Sequence, residues 1–173
     1  MHVLFVCTGN VCRSPTAERL TLAFAEELGL TDLTAESAGT RAMVGHPMEP
    51  TAAQVLEGLG GDPSGFTARR LTEDLAVDAD LVLTMTERQR EKVLAMAPEQ
   101  LKKTFTLREA ARLAVAADAK TVADLAAARP KHRSADGPED ISDPIGQDEE
   151  TFLAVGSEIA DLLGVLTRSV RNY

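Results

Sequence analysis

Cys7 and Arg13, in the string VLFVCTGNVCRSPTAERL over residues 3–20, are the residues from which chemistry can first be argued. The thiolate is the nucleophilic form of cysteine, and a helix N-terminus beside a guanidinium stabilises it. If the string runs as strand, loop and helix, the backbone N–H groups of Thr8, Gly9, Asn10, Val11, Cys12, Arg13 and Ser14 converge at the helix N-terminus, where an anion is favoured. Arg13 adds a planar fork that can bind two phosphoryl oxygens at once, which a lysine cannot do. These groups would hold the dianion of a phosphate ester with a thiolate placed to attack phosphorus. Such a transfer leaves an oxyanion that needs a proton, so a carboxylic acid must also reach the loop. Asp136, Asp140, Asp143 and Asp148 are the aspartates that stand before the last apolar-periodic stretch.

The elements needed to position these groups can be read from the apolar pattern. Val3, Leu4, Phe5 and Val6 form a run suited to a buried strand. From Pro15 the spacing is helical, with Ala17, Leu20, Phe24 and Leu28 on one face and the Ser14 hydroxyl as the expected N-cap. A second strand is expected over residues 33–37. A helix carrying Ala53, Val55, Leu56 and Leu59 is stopped by Gly60-Gly61-Asp62-Pro63. Arg69 and Arg70 follow in a loop and suggest a solvated basic pair, before a short helix over residues 72–77. Residues 80–85 suit a third strand, and Thr86 with Gln89 makes a capping box for a helix ending near Pro98. Residues 102–106 are a fourth strand candidate. The alanine-rich residues 107–128 suggest one or two helices, with Leu107, Ala111, Ala114 and Val115 as one face and Val122, Leu125 and Ala126 as another. A polar loop over residues 130–140 precedes a last helix lined by Phe152, Val155, Ile159, Leu162, Leu163, Leu166 and Val170. Strands alternating with helices predict an α/β fold: a four-stranded parallel sheet with helices on both faces and its ligand beyond the carboxyl ends of the strands. Cys7 and Ser37 should both lie at that edge.

At 173 residues the chain is expected to form one domain over residues 1–173, with residues 107–140 as a long helical and loop connection. A formal net charge of −9 argues against a nucleic-acid partner or an anionic membrane surface. No apolar stretch is long enough to cross a bilayer and no basic leader is seen, so a cytoplasmic protein is expected. The two cysteines both lie in the loop, which is neither a disulfide framework nor a zinc site. His2, His46 and His132 are isolated from one another, and the chemistry needs no metal or cofactor.

Cys7 to Ser14 match the C-x5-R-[ST] signature of cysteine-dependent phosphatases. The longer string, an apolar strand followed by CTGNVCRSP and a helix opening TAERL, resembles the low-molecular-weight protein-tyrosine phosphatases, a group that includes bacterial arginine phosphatases and some arsenate reductases. SAGT at residues 37–40, DLVLTM at residues 80–85 and the Asp143-Pro144 pair extend the resemblance over most of the chain outside residues 107–140. It implies a phosphocysteine mechanism in which Cys7 is the nucleophile, Arg13 binds phosphate and Asp143 is the general acid. It also implies that Ser14 donates to the thiolate, that Ser37 braces the loop through Asn10, and that Cys12 forms a reversible disulfide protecting an oxidised Cys7.

Many phosphotyrosine-specific members have aromatic residues at the substrate rim, where this chain has Met43 and Ile145. TFTLREA at residues 104–110 and DISDPIG at residues 140–146 look closer to the branch containing arginine phosphatases, although Val11 stands where those enzymes are expected to have threonine. The implied substrate is a phosphorylated protein, carrying phosphotyrosine or alternatively phosphoarginine, or a small phosphate ester. An arsenate reductase using an external thiol, and a non-catalytic phosphate-binding or redox-sensing module, are the further alternatives. Phosphatase turnover discriminates among them.

Overall fold

The computed structural model describes residues 1–171. The chain runs β1 (His2–Cys7), α1 (Arg13–Glu27), β2 (Thr34–Gly39), α2 (Pro50–Gly58), α3 (Glu73–Asp78), β3 (Leu81–Thr84) and α4 (Glu87–Met96). A 3-10 turn at Pro98–Lys103 leads to β4 (Thr104–Thr106), followed by α5 (Leu107–Ala116), α6 (Val122–Ala128) and α7 (Glu149–Ser169).

The four strands form one parallel sheet in the order β2-β1-β3-β4. β1 is central because every residue from Val3 to Cys7 is apolar and can be buried on both faces. Val3 and Phe5 pack with Leu20 of α1, Leu56 of α2, Leu107 and Leu113 of α5 and Ile159 of α7. Leu4 and Val6 face the other way, against Ala76 of α3 and Val93 of α4. Helices therefore cover both faces, as the alternation of elements predicts. The chain passes from β1 to β2 on one side and then crosses back to β3 on the other side of β1, and the carboxyl ends at that divide are where this class of sheet binds ligands.

Several local expectations are corrected. The helix after the loop starts at Arg13 with Cys12 as its N-cap and no capping side chain, so Ser14 lies inside the first turn. Its hydroxyl is taken by side chains outside the helix. Leu28 is exposed because the helix has ended there, and Val115 is exposed because the buried face of α5 runs through Leu107, Ala110, Ala111, Leu113 and Ala114. β4 begins only at Thr104, since residues 98–103 wind into the 3-10 turn. Ser37 lies within β2, opposite Phe5, while Gly39 is the residue paired with Cys7. The capping box is present: Thr86 Oγ1 accepts from Gln89 N–H at 3.2 Å and Gln89 Oε1 accepts from Thr86 N–H at 3.0 Å. Among the described residues no helix is long and apolar enough to cross a membrane.

Candidate active site

The loop between β1 and α1 is turned inside out by its neighbours. The carbonyls of Cys7, Thr8, Gly9 and Val11 accept from the N–H groups of Thr40, Arg41, Met43 and Glu49 at 3.0, 2.9, 2.9 and 2.8 Å. In a trans peptide the following N–H points opposite to the carbonyl. Carbonyls bonded outward therefore turn the next N–H groups inward, and those of Gly9, Asn10 and Cys12 have no acceptor among the described residues. With the free N–H groups at the start of α1 they form a concave anion site. Asn10 makes the turn possible by adopting the left-handed region at φ 57°, which asparagine tolerates better than most residues.

Cys7 Sγ is 2.9 Å from Ser14 Oγ, and both residues are buried. The direction of that bond follows from the rest of the network. Asn10 Nδ2 donates to Ser14 Oγ at 2.9 Å and to Ser37 Oγ at 3.0 Å, while Asn10 Oδ1 accepts from Arg69 N–H at 2.9 Å. The backbone donor fixes which end of the amide is oxygen. The Ser37 hydroxyl in turn donates a hydrogen bond to Glu18 Oε1 at 2.8 Å. Ser14 has no acceptor for its proton among the described residues except the sulfur, so the network favours an acceptor at Cys7.

Arg13 is 5% exposed and spans from the loop to the segment before α7. Its Nη1 donates to the Ile141 carbonyl at 2.8 Å, and its Nη2 lies 3.8 Å from Asp143 Oδ2. The Asp143 side chain is 53% exposed, and its Oδ1 accepts from Ile145 N–H at 3.1 Å in a local turn that keeps the carboxylate at the mouth of the loop. The competing acids are engaged or remote: Asp140 accepts from Glu87 N–H at 2.8 Å, and Asp148 caps α7 through Thr151 at 2.9 Å. Among the described residues, Asp143 is the acid whose carboxylate pairs with Arg13. Met43 sits against the loop through its bond to Gly9, and Met43 and Ile145 are both exposed. Cys7 and Cys12 are free thiols. Burial pushes the Cys12 thiol well above its ordinary value, and neighbouring Cys7 adds to the shift. Among the described residues no cluster of His, Cys, Asp or Glu is arranged to hold a metal ion.

Three residues were not singled out for this site by the sequence. Gln89, recognised only as half of a capping box, also donates through Nε2 to Thr8 Oγ1 at 3.1 Å, which ties α4 to the loop. Arg69 is not a solvated charge: besides its N–H bond to Asn10, its Nε donates to the Ser37 carbonyl at 3.0 Å and its Nη2 lies 3.0 Å from Glu36 Oε2. Gly39 lets the loop approach, because a Cβ there would stand 2.5 Å from the Thr8 carbonyl oxygen. The turn chemistry of SAGT is a local signal for this glycine, whereas the Gln89 and Arg69 contacts join residues 81 and 59 positions apart and leave no local trace.

Comparison with known proteins bears on the same region. The model of the family described as "Low molecular weight phosphotyrosine protein phosphatase" matches residues 2–124. The low molecular weight protein-tyrosine-phosphatase Wzb of Escherichia coli K12 is 43% identical over 98 residues, covering 57% of this chain and 63% of that protein. Etp of the same organism is 40% identical over 103 residues, or 60% and 66% of the two chains. Both matched segments thus span slightly less than two thirds of the relative. Solved structures align more completely. The low molecular weight protein tyrosine phosphatase from T. tengcongensis superposes with a TM-score of 0.78 at 32% identity over 97% of this chain and 98% of that one. The YwlE arginine phosphatase from Geobacillus stearothermophilus gives a TM-score of 0.74 at 29% identity over 96% and 90%. Sheet order, phosphate loop and family match coincide, and the chain belongs to the low molecular weight phosphotyrosine protein phosphatase family.

Proposed function

We propose that this chain is a cysteine-dependent protein-tyrosine phosphatase that hydrolyses phosphate monoesters through a phosphocysteine intermediate. The observation that carries this reading is the convergence of the Cys7 sulfur, the inward N–H groups of Gly9, Asn10 and Cys12, Arg13 and Asp143 on one loop, with the Arg13 fork 3.8 Å from the acid. Cys7 attacks phosphorus and forms the S–P bond as the P–O bond to the leaving group breaks; protonated Asp143 gives its proton to the departing oxygen. Asp143, now a carboxylate, takes a proton from the water that attacks the phosphocysteine, which releases inorganic phosphate and returns the thiolate. Arg13 and the loop N–H groups hold the equatorial oxygens through both steps. Ser14 donates to the thiolate, while Asn10 and Ser37 hold the loop in shape. Thr8, Gly9, Val11 and Cys12 supply the remaining backbone of the cradle, and Met43 and Ile145 form an apolar rim.

The substrate we assign is a phosphorylated protein carrying phosphotyrosine, met by a single domain working in the cytoplasm, where its thiols stay reduced. Cys12 forms a reversible disulfide with Cys7 after oxidation. A second reading, protein-arginine phosphatase, is favoured by the exposed non-aromatic rim of Met43 and Ile145 and by the likeness to the Geobacillus enzyme. Hydrolysis of para-nitrophenyl phosphate and of phosphotyrosine and phosphoarginine peptides, without added metal, tests both. Native protein should be active, Cys7→Ser inactive and Asp143→Ala slower by about 10²–10⁴-fold on the phosphotyrosine peptide, whose leaving group is strongly basic. Faster turnover of the phosphoarginine peptide would give priority to the second reading, and turnover that survives Cys7→Ser would eliminate both.

A further inference from the structure

Asp143 stands in an irregular stretch, residues 139–146, and its carboxylate is about half exposed. A general acid must be held within hydrogen-bonding reach of the leaving oxygen, and an exposed loop does not do this by itself. The segment is secured on two sides. Toward the sheet, Ile141 N–H donates to the Met85 carbonyl at 2.9 Å, and the Ile141 carbonyl accepts from Arg13. At the start of α4, Glu87 Oε2 accepts from Glu139 N–H at 2.6 Å, while Glu87 N–H donates to Asp140 Oδ1.

The other side is held from α5, at the start of the long connection. Arg112 Nε and Nη2 each donate to one oxygen of Glu139, both at 2.9 Å, and Nη1 donates to the His132 carbonyl at 2.6 Å. All three nitrogens of the guanidinium are thereby engaged, which fixes its plane as well as its position. α5 is a firm base for it: Leu107, Ala111, Leu113 and Ala114 are buried, and Arg108 makes a paired bond to Glu158 of α7 at 2.6 and 3.0 Å. A mere surface ion pair would tie two mobile side chains and contribute little. Here the carboxylate belongs to the backbone segment that leads, four residues later, to Asp143.

We infer that Arg112 is a positioning residue for proton transfer: by clamping Glu139 it sets the approach of Asp143 to the phosphate loop. The inference rests on the phosphatase reading above and gives the 107–140 connection a part in it. Loss of the clamp should harm the reaction in proportion to how much proton the leaving group needs.

The test compares kcat/KM for phenyl phosphate, whose leaving group is strongly basic, with that for para-nitrophenyl phosphate, whose leaving group is not. Arg112→Ala is expected to lower the first by about 10- to 100-fold and the second far less, with little loss in an Asp143→Ala background. Glu139→Gln, which keeps the size of the side chain and removes its charge, should show the same selective pattern if Arg112→Ala does not fold. Equal losses on both substrates, or a loss that multiplies fully with that of Asp143→Ala, would mean that the pair supports the fold alone and would overturn the inference. Failure of the phosphatase reading has its own signature, absence of Cys7-dependent turnover in the native protein, and would remove the inference with it.

Discussion

Replacing Gly39 with alanine asks how closely the phosphate loop depends on the neighbouring strand. The added Cβ would stand 2.5 Å from the Thr8 carbonyl oxygen and 3.0 Å from the Cβ atoms of both Ala42 and Asn10. To reach an ordinary contact, the Thr8 peptide must retreat by roughly 1 Å. Neither side is free to yield. Gly39 N–H donates to the Arg69 carbonyl at 2.9 Å, the Gly39 carbonyl accepts from Leu71 N–H at 2.9 Å, and the Thr8 carbonyl is itself held by Arg41 N–H. Gly39 is not at positive φ, so the cost is one of contact rather than backbone conformation. Overpacking of this kind costs about 1–3 kcal/mol of folding stability. The effect on catalysis should be larger, because a shift of about 1 Å in a loop that aligns reacting atoms lowers rate by on the order of 100-fold. The assay is kcat/KM for para-nitrophenyl phosphate alongside urea denaturation of the same preparation. A Gly39→Ala protein within about threefold of native kcat/KM would refute the reasoning, since the loop would then tolerate the displacement.

Two further substitutions probe the buried network and the second thiol. Asn10→Ala takes one bond from each of the buried Ser14 and Ser37 hydroxyls, which keep Cys7 and Glu18 as partners, and leaves the Arg69 N–H without its acceptor, which should cost about 1–3 kcal/mol, read from urea midpoints; an unchanged midpoint would show that the network is not what holds the loop. Cys12 keeps its proton well above the ordinary thiol value of 9.0, through burial first and then neighbouring Cys7. The unfolded chain releases that proton near 9.0 while the folded chain retains it, so this contribution to stability is complete below that pH and declines above it. Urea midpoints followed from about pH 8 to about pH 11 should fall more steeply for native protein than for Cys12→Ala, and parallel curves would contradict the assignment. The same position answers the redox question: peroxide followed by thiol should restore native activity, whereas equal recovery in Cys12→Ser would remove the protective role.

How much of this was legible in the sequence depends on how far apart the interacting residues lie. The strand, loop and helix around Cys7 and Arg13 are contiguous, so their pattern shows in one short string. The Thr86–Gln89 capping box is equally local. Ser14 shows the limit of a local rule: its type and place suit an N-cap, yet the hydroxyl is claimed by Cys7 and Asn10, because a buried site must pair its polar atoms before a helix end can use them. Asp143 could be separated from Asp136, Asp140 and Asp148 only by resemblance. The fold separates them physically, by assigning Asp140 to Glu87 and Asp148 to the α7 cap and leaving Asp143 beside Arg13. Arg69 reads in the sequence as a solvated charge for the same reason, since nothing near it in the chain announces Asn10 or Glu36.

The N-terminus of α4 connects these distant pieces. Gln89 reaches the phosphate loop at Thr8, and Glu87, two residues earlier, holds the backbone of Glu139 and Asp140. The capping box makes this turn of helix a rigid unit, so the loop bearing Cys7 and the segment bearing Asp143 are referred to one body. Arg13 closes the circuit by bonding from the loop to Ile141. The segment carrying Asp143 is therefore held by the same elements that shape the anion site, with the Arg112–Glu139 pair as a second support. The sheet edge and the start of α4 thus hold the segment on its inner side, and α5 adds a single ion pair at its outer side.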